Sequence, residues 1–221
     1  MASPVILLIN PNSSSRTTGM MVAVAQAASD KFKIVGATAT RSPPMIVDAA
    51  ALVASAEEVV EIGLLADNDV AAVIVSAFGD PGVKSLKQKA SMPVVGIAEA
   101  SMIEAAANGR RFGVATTTPD LVTAIDTRAV ELGFGRLYTG VRLAPGDPHD
   151  LVADPRRLVA ALGQAVSDCI ERDKAEAVII GGGPLADAAA TLATQFAVPI
   201  IAPIPAAIHL LSSRLDVSHS S

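Results

Sequence analysis

Apolar positions fall in short, uninterrupted runs: "VILLI" (5–9), "VAAVIVSAF" (70–78), "PVVGIA" (93–98), "FGVAT" (112–116), "AVIIGG" (177–182) and "VPIIAPI" (198–204). Each is rich in Val or Ile and bounded by Gly, Pro or Asn. Strands that are apolar on both faces belong to parallel sheets covered on either side by helices. Ala-rich stretches of helical character separate them, at 18–32, 56–68, 119–133 and 156–173. The alternation predicts an α/β fold with mostly parallel sheets flanked by helices. The polar end, 211–221, is expected to fray.

The chain also repeats itself. "AVIVSAFGD" (72–80) aligns with "AVIIGGGPL" (177–185), an offset of 105 residues. "MPVVGIAEASMIEAA" (92–106) aligns with "VPIIAPIPAAIHLL" (198–211), and "LLIN" ending at Asn10 with "GVAT" ending at Thr116, both at 106. These matches predict two pseudo-symmetric lobes, 1–100 and 110–210, with the C-terminal segment free to cross back to the first. The alternative is one six-stranded sheet without duplication. In open α/β sheets ligands lie outside the carboxyl ends of the strands. The loops after Asn10, Ala77, Thr116 and Gly182 are therefore expected to converge on an active-site cleft between the lobes.

Composition narrows the class. Hydrophobic residues make up 51% of 221, yet no run approaches the ~20 apolar residues of a spanning helix. "VILLI" is too short for a leader core and has no basic segment before it, so a soluble, cytoplasmic protein without a membrane partner is expected. A net charge of −5 argues against nucleic acid. The single cysteine, Cys169, excludes an intramolecular disulfide or a cysteine metal cluster, and His149, His209 and His219 lack ligand spacing. No metal is expected.

The loops carry the candidate chemistry. In "INPNSSS" (9–15), Asn10, Ser13 and Ser14 can cap the next helix or bind a carboxylate or imide. "ATTTPD" (115–120) has the same form, with Thr116, Thr117 and Thr118 before Pro119; N–H groups at a helix start favour an anion. "GGGPLAD" (181–187) lacks the lysine of a phosphate loop, so Gly182, Gly183 and Pro184 indicate close backbone approach and not a nucleotide. Ser76, Ala77 and Phe78 complete the expected substrate-binding set. The ligand is read as a small carboxylate, amino-acid derivative or cyclic imide.

"LLINPNSSS", "AFGDPG", "PVVGIAEASM", "FGVATTTPD" and "VIIGGGPLAD" together resemble the aspartate/glutamate/hydantoin racemase superfamily, nearest its hydantoin and allantoin racemase branch. The resemblance implies two pseudo-symmetric lobes, no cofactor, a homo-oligomer, and proton transfer at a carbon next to a carbonyl. It also implies two catalytic cysteines, one acting on each face of the substrate as base and acid. Their positions in this chain are Ala77 and Gly182, neither of which carries a proton. Cys169 falls in an amphipathic helix and reads as a small core residue.

An isomerase would then need other acid–base groups. Asp80, Glu99 and His209 are the catalytic candidates, with Asp187 beside them. Each has a structural alternative: Asp80 and Asp187 as helix caps, Glu99 as an anchor for a helix starting at Ser101, His209 as a core histidine on an apolar helix. The competing readings are a decarboxylase or lyase on the same scaffold, and a non-catalytic protein that binds the small acid or imide.

Overall fold

Parallel strands cannot be joined by tight turns; each pair needs a crossover, usually a helix. The structure, a computed structural model of the chain, describes residues 3–66 and 69–218 and shows that device throughout. The chain divides into two units, residues 1–100 with 204–221, and residues 101–203.

In the first unit, β1 (Val5–Asn10), β2 (Lys33–Thr38), β3 (Val70–Val75) and β4 (Val94–Gly96) form a parallel sheet in the order β2-β1-β3-β4. Helices α1 (Ser15–Ala27), α2 (Ala49–Leu64) and α3 (Val83–Lys89) make the crossovers, and α4 (Ile97–Ala105) follows β4 directly, with the boundary to the second unit after Ala100. The second unit repeats the plan with β5 (Phe112–Thr116), β6 (Tyr138–Leu143), β7 (Ala177–Ile180) and β8 (Ile200–Ile201) in the order β6-β5-β7-β8. Its helices are α5 (Val122–Glu131), α6 (Pro148–Ala153), α7 (Pro155–Glu171) and α8 (Ala186–Ala193). The last helix, α9 (Pro203–Ser218), lies in the first unit from Ile204 onward. Residues 211–218, expected to fray, instead continue α9; residues 219–221, with His219, lie outside the described residues.

The duplication extends to individual hydrogen bonds. Val73 N–H donates to Pro93 C=O at 2.9 Å, and Val178 N–H to Pro199 C=O at 3.0 Å. Past the strand ends, Ser76 N–H donates to Ile9 C=O and Gly181 N–H to Ala115 C=O, both at 2.8 Å. Ala39 N–H meets Asn10 C=O as Ala144 N–H meets Thr116 C=O. Two four-stranded sheets replace the single six-stranded alternative.

The two strands absent from the apolar pattern are β2 and β6. Both are sheet edges, and both are largely half-buried, so their sequences never become uninterrupted apolar runs. The central strands do: Ile6, Leu8 and Ile9, with Val73, Ile74 and Val75, are fully buried, as are Val114, Ile179 and Ile180. Burying such a side chain stabilises the fold by about 1.5–3 kcal/mol, so these strands set the register. One core packs Leu7, Ile9, Val73 and Val75 against Val59 of α2 and Leu86 of α3. The other packs Val178 and Ile180 against Leu162, Val166 and Cys169 of α7 and Leu192 of α8.

Candidate functional site

In each sheet the chain leaves the first strand toward one edge and later returns to lay the third strand on the other side. The switch points lie between β1 and β3 and between β5 and β7. In open α/β sheets, ligands lie outside the carboxyl ends of the strands at such points. Asn10 and Ser76–Phe78 stand at one such point, Thr116–Thr118 and Gly182–Gly183 at the other.

Asn10, fully buried, organises the first loop. Its side-chain N–H groups donate to Asn12 Oδ1 (2.8 Å), Thr18 Oγ1 (3.0 Å) and Ser14 C=O (3.2 Å), while its Oδ1 accepts from Asn12 N–H. Ser14 caps α1 by accepting from Thr17 N–H. Ser13 is tied through its own N–H to Pro43 C=O. The "INPNSSS" polar groups thus hold the loop and the helix start together, and the capping reading of Ser14 stands. Asn12, Thr18 and Thr38, whose hydroxyl lies 2.7 Å from that of Thr18, extend the network. Sequence alone did not single them out.

The loop after β3 is pinned by Asp80. The chain turns as Asp80 N–H donates to Ala77 C=O at 3.0 Å, and Asp80 sits at φ +54°, a left-handed conformation that aspartate tolerates. Its carboxylate, 6% exposed, accepts from Ala98 N–H and Glu99 N–H at 2.8 Å each. Asp80 therefore caps α4 from outside that helix. The helix begins at Ile97, four residues before the expected Ser101, and Glu99 lies in its first turn. Gly96 makes room: a Cβ there would collide with the Asp80 carboxylate. Ser76 donates its hydroxyl to Met21 Sδ and Phe78 is buried, so their side chains face the core.

Glu99, 5% exposed, is gripped by Lys87 of α3 at 2.5 Å and Arg214 of α9 at 3.1 Å. Burial opposes its ionisation, but the hydrogen bonds and charges of Lys87 and then Arg214 prevail and hold the carboxyl below its ordinary value. Both acidic candidates are thus committed to the fold. A carboxylate stabilised in its charged form is a weak base. His209, a catalytic candidate whose structural alternative was a core position, is exposed on α9, and Asp187, exposed in the first turn of α8, caps no helix among the described residues. Cys169 is fully buried; burial and then Asp173 push its thiol up to about 12, which keeps it out of thiolate chemistry.

The polar groups at the strand ends of the second unit are neutral. Thr116 donates its hydroxyl to Gly181 C=O at 2.7 Å, and Thr118 Oγ1 lies 3.3 Å from Thr116 Oγ1. Thr117 is 3% exposed, and its hydroxyl has no hydrogen-bond partner among the described residues. Gly182 adopts φ +155°, and a Cβ built on it would lie 3.1 Å from Leu185 Cδ1. A turn at Gly183–Leu185 then leads into α8. Among the described residues, no main-chain carbonyl accepts from the N–H groups of Ala77 and Phe78, nor from those of Gly182 and Gly183. Successive unpaired N–H groups at a strand end favour a carbonyl oxygen or an anion. No group of three or more His, Cys, Asp or Glu that could hold a metal occurs among the described residues.

Two four-stranded parallel units with hydroxyl- and glycine-bearing loops at their switch points define the α/β fold class. The chain belongs to the Asp/Glu/Hydantoin racemase family, whose profile matches residues 6–211. It is similar to a hydantoin racemase of a Pseudomonas species, 28% identical over 214 residues, which covers 96% of this chain and 86% of that protein. Among solved structures, the allantoin racemase of Pseudomonas fluorescens superposes with a TM-score of 0.91 at 26% identity, covering 97% of this chain and 92% of that one. The allantoin racemase of Klebsiella pneumoniae gives 0.90 at 26%, covering 98% and 89%.

Proposed function

We propose that this chain is a racemase-type enzyme that acts, without a cofactor, at a carbon next to the carbonyl of a hydantoin- or allantoin-like cyclic imide. One observation carries the choice of ligand: the strand-end loops offer neutral donors, with Ala77, Phe78, Gly182 and Gly183 N–H groups and the Thr117 hydroxyl uncommitted. Such donors suit a ring that is neutral when bound and gains oxyanion character as its α-proton leaves. The similarity to hydantoin and allantoin racemases over nearly the whole chain supports the same substrate class.

Proton transfer then proceeds without Ala77 and Gly182, the positions of the family's cysteine pair by resemblance. Asp80 and Glu99 already serve as a helix cap and an ion-pair centre. The remaining carriers are Asp187, His209 and solvent water, and the loops supply binding and enolate stabilisation. Proton NMR in D2O with allantoin and 5-substituted hydantoins is the test. Exchange of the α-hydrogen above the uncatalysed rate supports the reading; its loss in His209→Ala or in Asp187→Asn assigns the carrier to that residue, whereas its survival in both points to water.

A second reading, binding without turnover, is favoured by one observation: Asp80 and Glu99 are both committed to partners within the protein. Ligand-induced stabilisation with no exchange in any compound would select it and sink the enzyme reading.

A further inference from the structure

Asn12, half-buried two residues past the end of β1, has its side-chain oxygen between two donors: Asn10 Nδ2 at 2.8 Å and Ser14 N–H at 3.0 Å. A main-chain N–H cannot accept, so the atom facing Ser14 is the oxygen, and the amide cannot flip. Both lone pairs of that oxygen are thereby filled. In return Asn12 N–H donates to Asn10 Oδ1 at 3.1 Å, and Asn10 is itself fully buried and bonded to Thr18. The Asn12 amide plane is thus fixed, with its Nδ2 turned away from Asn10 and Ser14. Neither hydrogen of that Nδ2 meets an acceptor among the described residues. Asn10 and Ser14, read from the sequence as substrate-binding, are instead bonded to the loop and to the start of α1.

The strands place this donor. β1 and β3 are neighbours, and Ser76 N–H donates to Ile9 C=O, so the two segments leave the sheet side by side and at one level. Past β3 stand the uncommitted N–H groups of Ala77 and Phe78. Neighbouring strands lie about 4.8 Å apart, close to the span between the two oxygens that flank the ring N–H of a cyclic imide. Only one of these oxygens gains charge as the α-proton leaves, the one whose carbon is bonded to the α-carbon. Successive main-chain N–H groups suit that oxygen. The Asn12 amide, a neutral donor beyond the adjacent strand, is left for the second carbonyl.

We propose that Asn12 is a specificity-determining residue of the site: its Nδ2 donates to the ring carbonyl that is not enolised and so selects imides over rings with a single carbonyl. This rests on the cyclic-imide reading above. Because that bond is the same before and during proton removal, it contributes to substrate affinity and not to the rate of the bound step.

Asn12→Asp separates this role from the stability of the loop. A carboxylate still accepts from Asn10 Nδ2 and Ser14 N–H, and its charge is favourable near the start of α1. Only the outward donor is exchanged for an acceptor. Exchange kinetics in D2O with a 5-substituted hydantoin are expected to show KM raised at least about tenfold, kcat within about threefold of native, and a urea midpoint no lower than native. Succinimide is expected to compete better than 2-pyrrolidinone in the native chain, and the two are expected to compete equally in Asn12→Ala. An unchanged KM overturns the proposal, and so does a fall in kcat alone, which would put Asn12 on the reacting carbonyl. A lowered urea midpoint beside the raised KM overturns it too, since the loop itself has then failed. Where the native chain binds without turnover, calorimetry takes the place of KM: binding about tenfold weaker in Asn12→Asp supports the assignment and equal binding overturns it. A native chain that binds none of these rings sinks the substrate reading and this assignment with it.

Discussion

Thr116 donates its hydroxyl hydrogen to the carbonyl of Gly181 over 2.7 Å, across the gap between the ends of β5 and β7. The amide plane joining Gly181 to Gly182 is rigid and trans, so fixing that carbonyl toward Thr116 turns the Gly182 N–H the opposite way. A side chain at the end of one strand thereby aims a main-chain donor at the end of its neighbour. Val is the closest substitute in shape, yet Thr116→Val leaves the Gly181 carbonyl without this donor. The expected cost is about 1–3 kcal/mol of stability in urea unfolding, with weaker binding of any ligand that uses the Gly182 N–H. Unchanged stability would show that water replaces the hydroxyl.

The two positions read as lost cysteine sites are not equivalent. Ala77 is absent from the residues with positive φ, so a larger side chain is compatible with its backbone. Gly182 at φ +155° accepts a side chain only with strain, and Leu185 would have to give way. Gly182→Cys is expected to destabilise by about 1–3 kcal/mol, while Ala77→Cys stays near native stability. Comparing the midpoints of chemical unfolding for the two variants decides it; equal effects would contradict the backbone argument.

Gly96 and Asp80 are coupled by space. Gly96→Ala forces the Asp80 carboxylate off the N–H groups of Ala98 and Glu99, so the expected loss is at least about 2 kcal/mol. In an Asp80→Ala background that carboxylate is gone, and the same change at Gly96 should cost far less. A double-mutant cycle in denaturant measures the coupling. Additive effects would mean that the two residues act separately.

Glu99 gives the fold an acid dependence. Its folded-state value lies below that of the unfolded chain, so acidification places protons on the unfolded state first. Its contribution to stability is complete above the ordinary glutamate value of about 4.3. It fades as the pH falls through that value and on down to the folded one. Glu99→Gln should be less stable at neutral pH and should lose less on acidification between pH 5 and pH 3. Thermal melts across that range check the slope, and parallel profiles for the two proteins would refute it.

Much of this protein is legible in its sequence because burial on both faces writes itself as uninterrupted Val and Ile. The central strands β1, β3, β5 and β7, their alternation with helices and the 105-residue repeat follow from that constraint alone. β2 and β6 escape it because these two edge strands are only partly buried, unlike the fully buried edge strand β4, so their residues need not be apolar. The hydroxyl and glycine loops are visible in the sequence as polar or glycine breaks at the ends of apolar runs. Whether a given polar atom in them points to a ligand or to the protein is not.

Here tertiary structure decided. Asp80 and Glu99 read alike as carboxylates near a loop, yet one caps a helix 17 residues further on and the other joins α3, α4 and α9. His209 sits in an apolar stretch and is nonetheless exposed, because the neighbours that cover a helix face come from distant segments. Local pattern fixes which residues must leave water, since that depends on each side chain and its period. The partners that neutralise a buried carboxylate or aim a main-chain N–H are chosen by long-range packing, and no spacing along the chain encodes that choice.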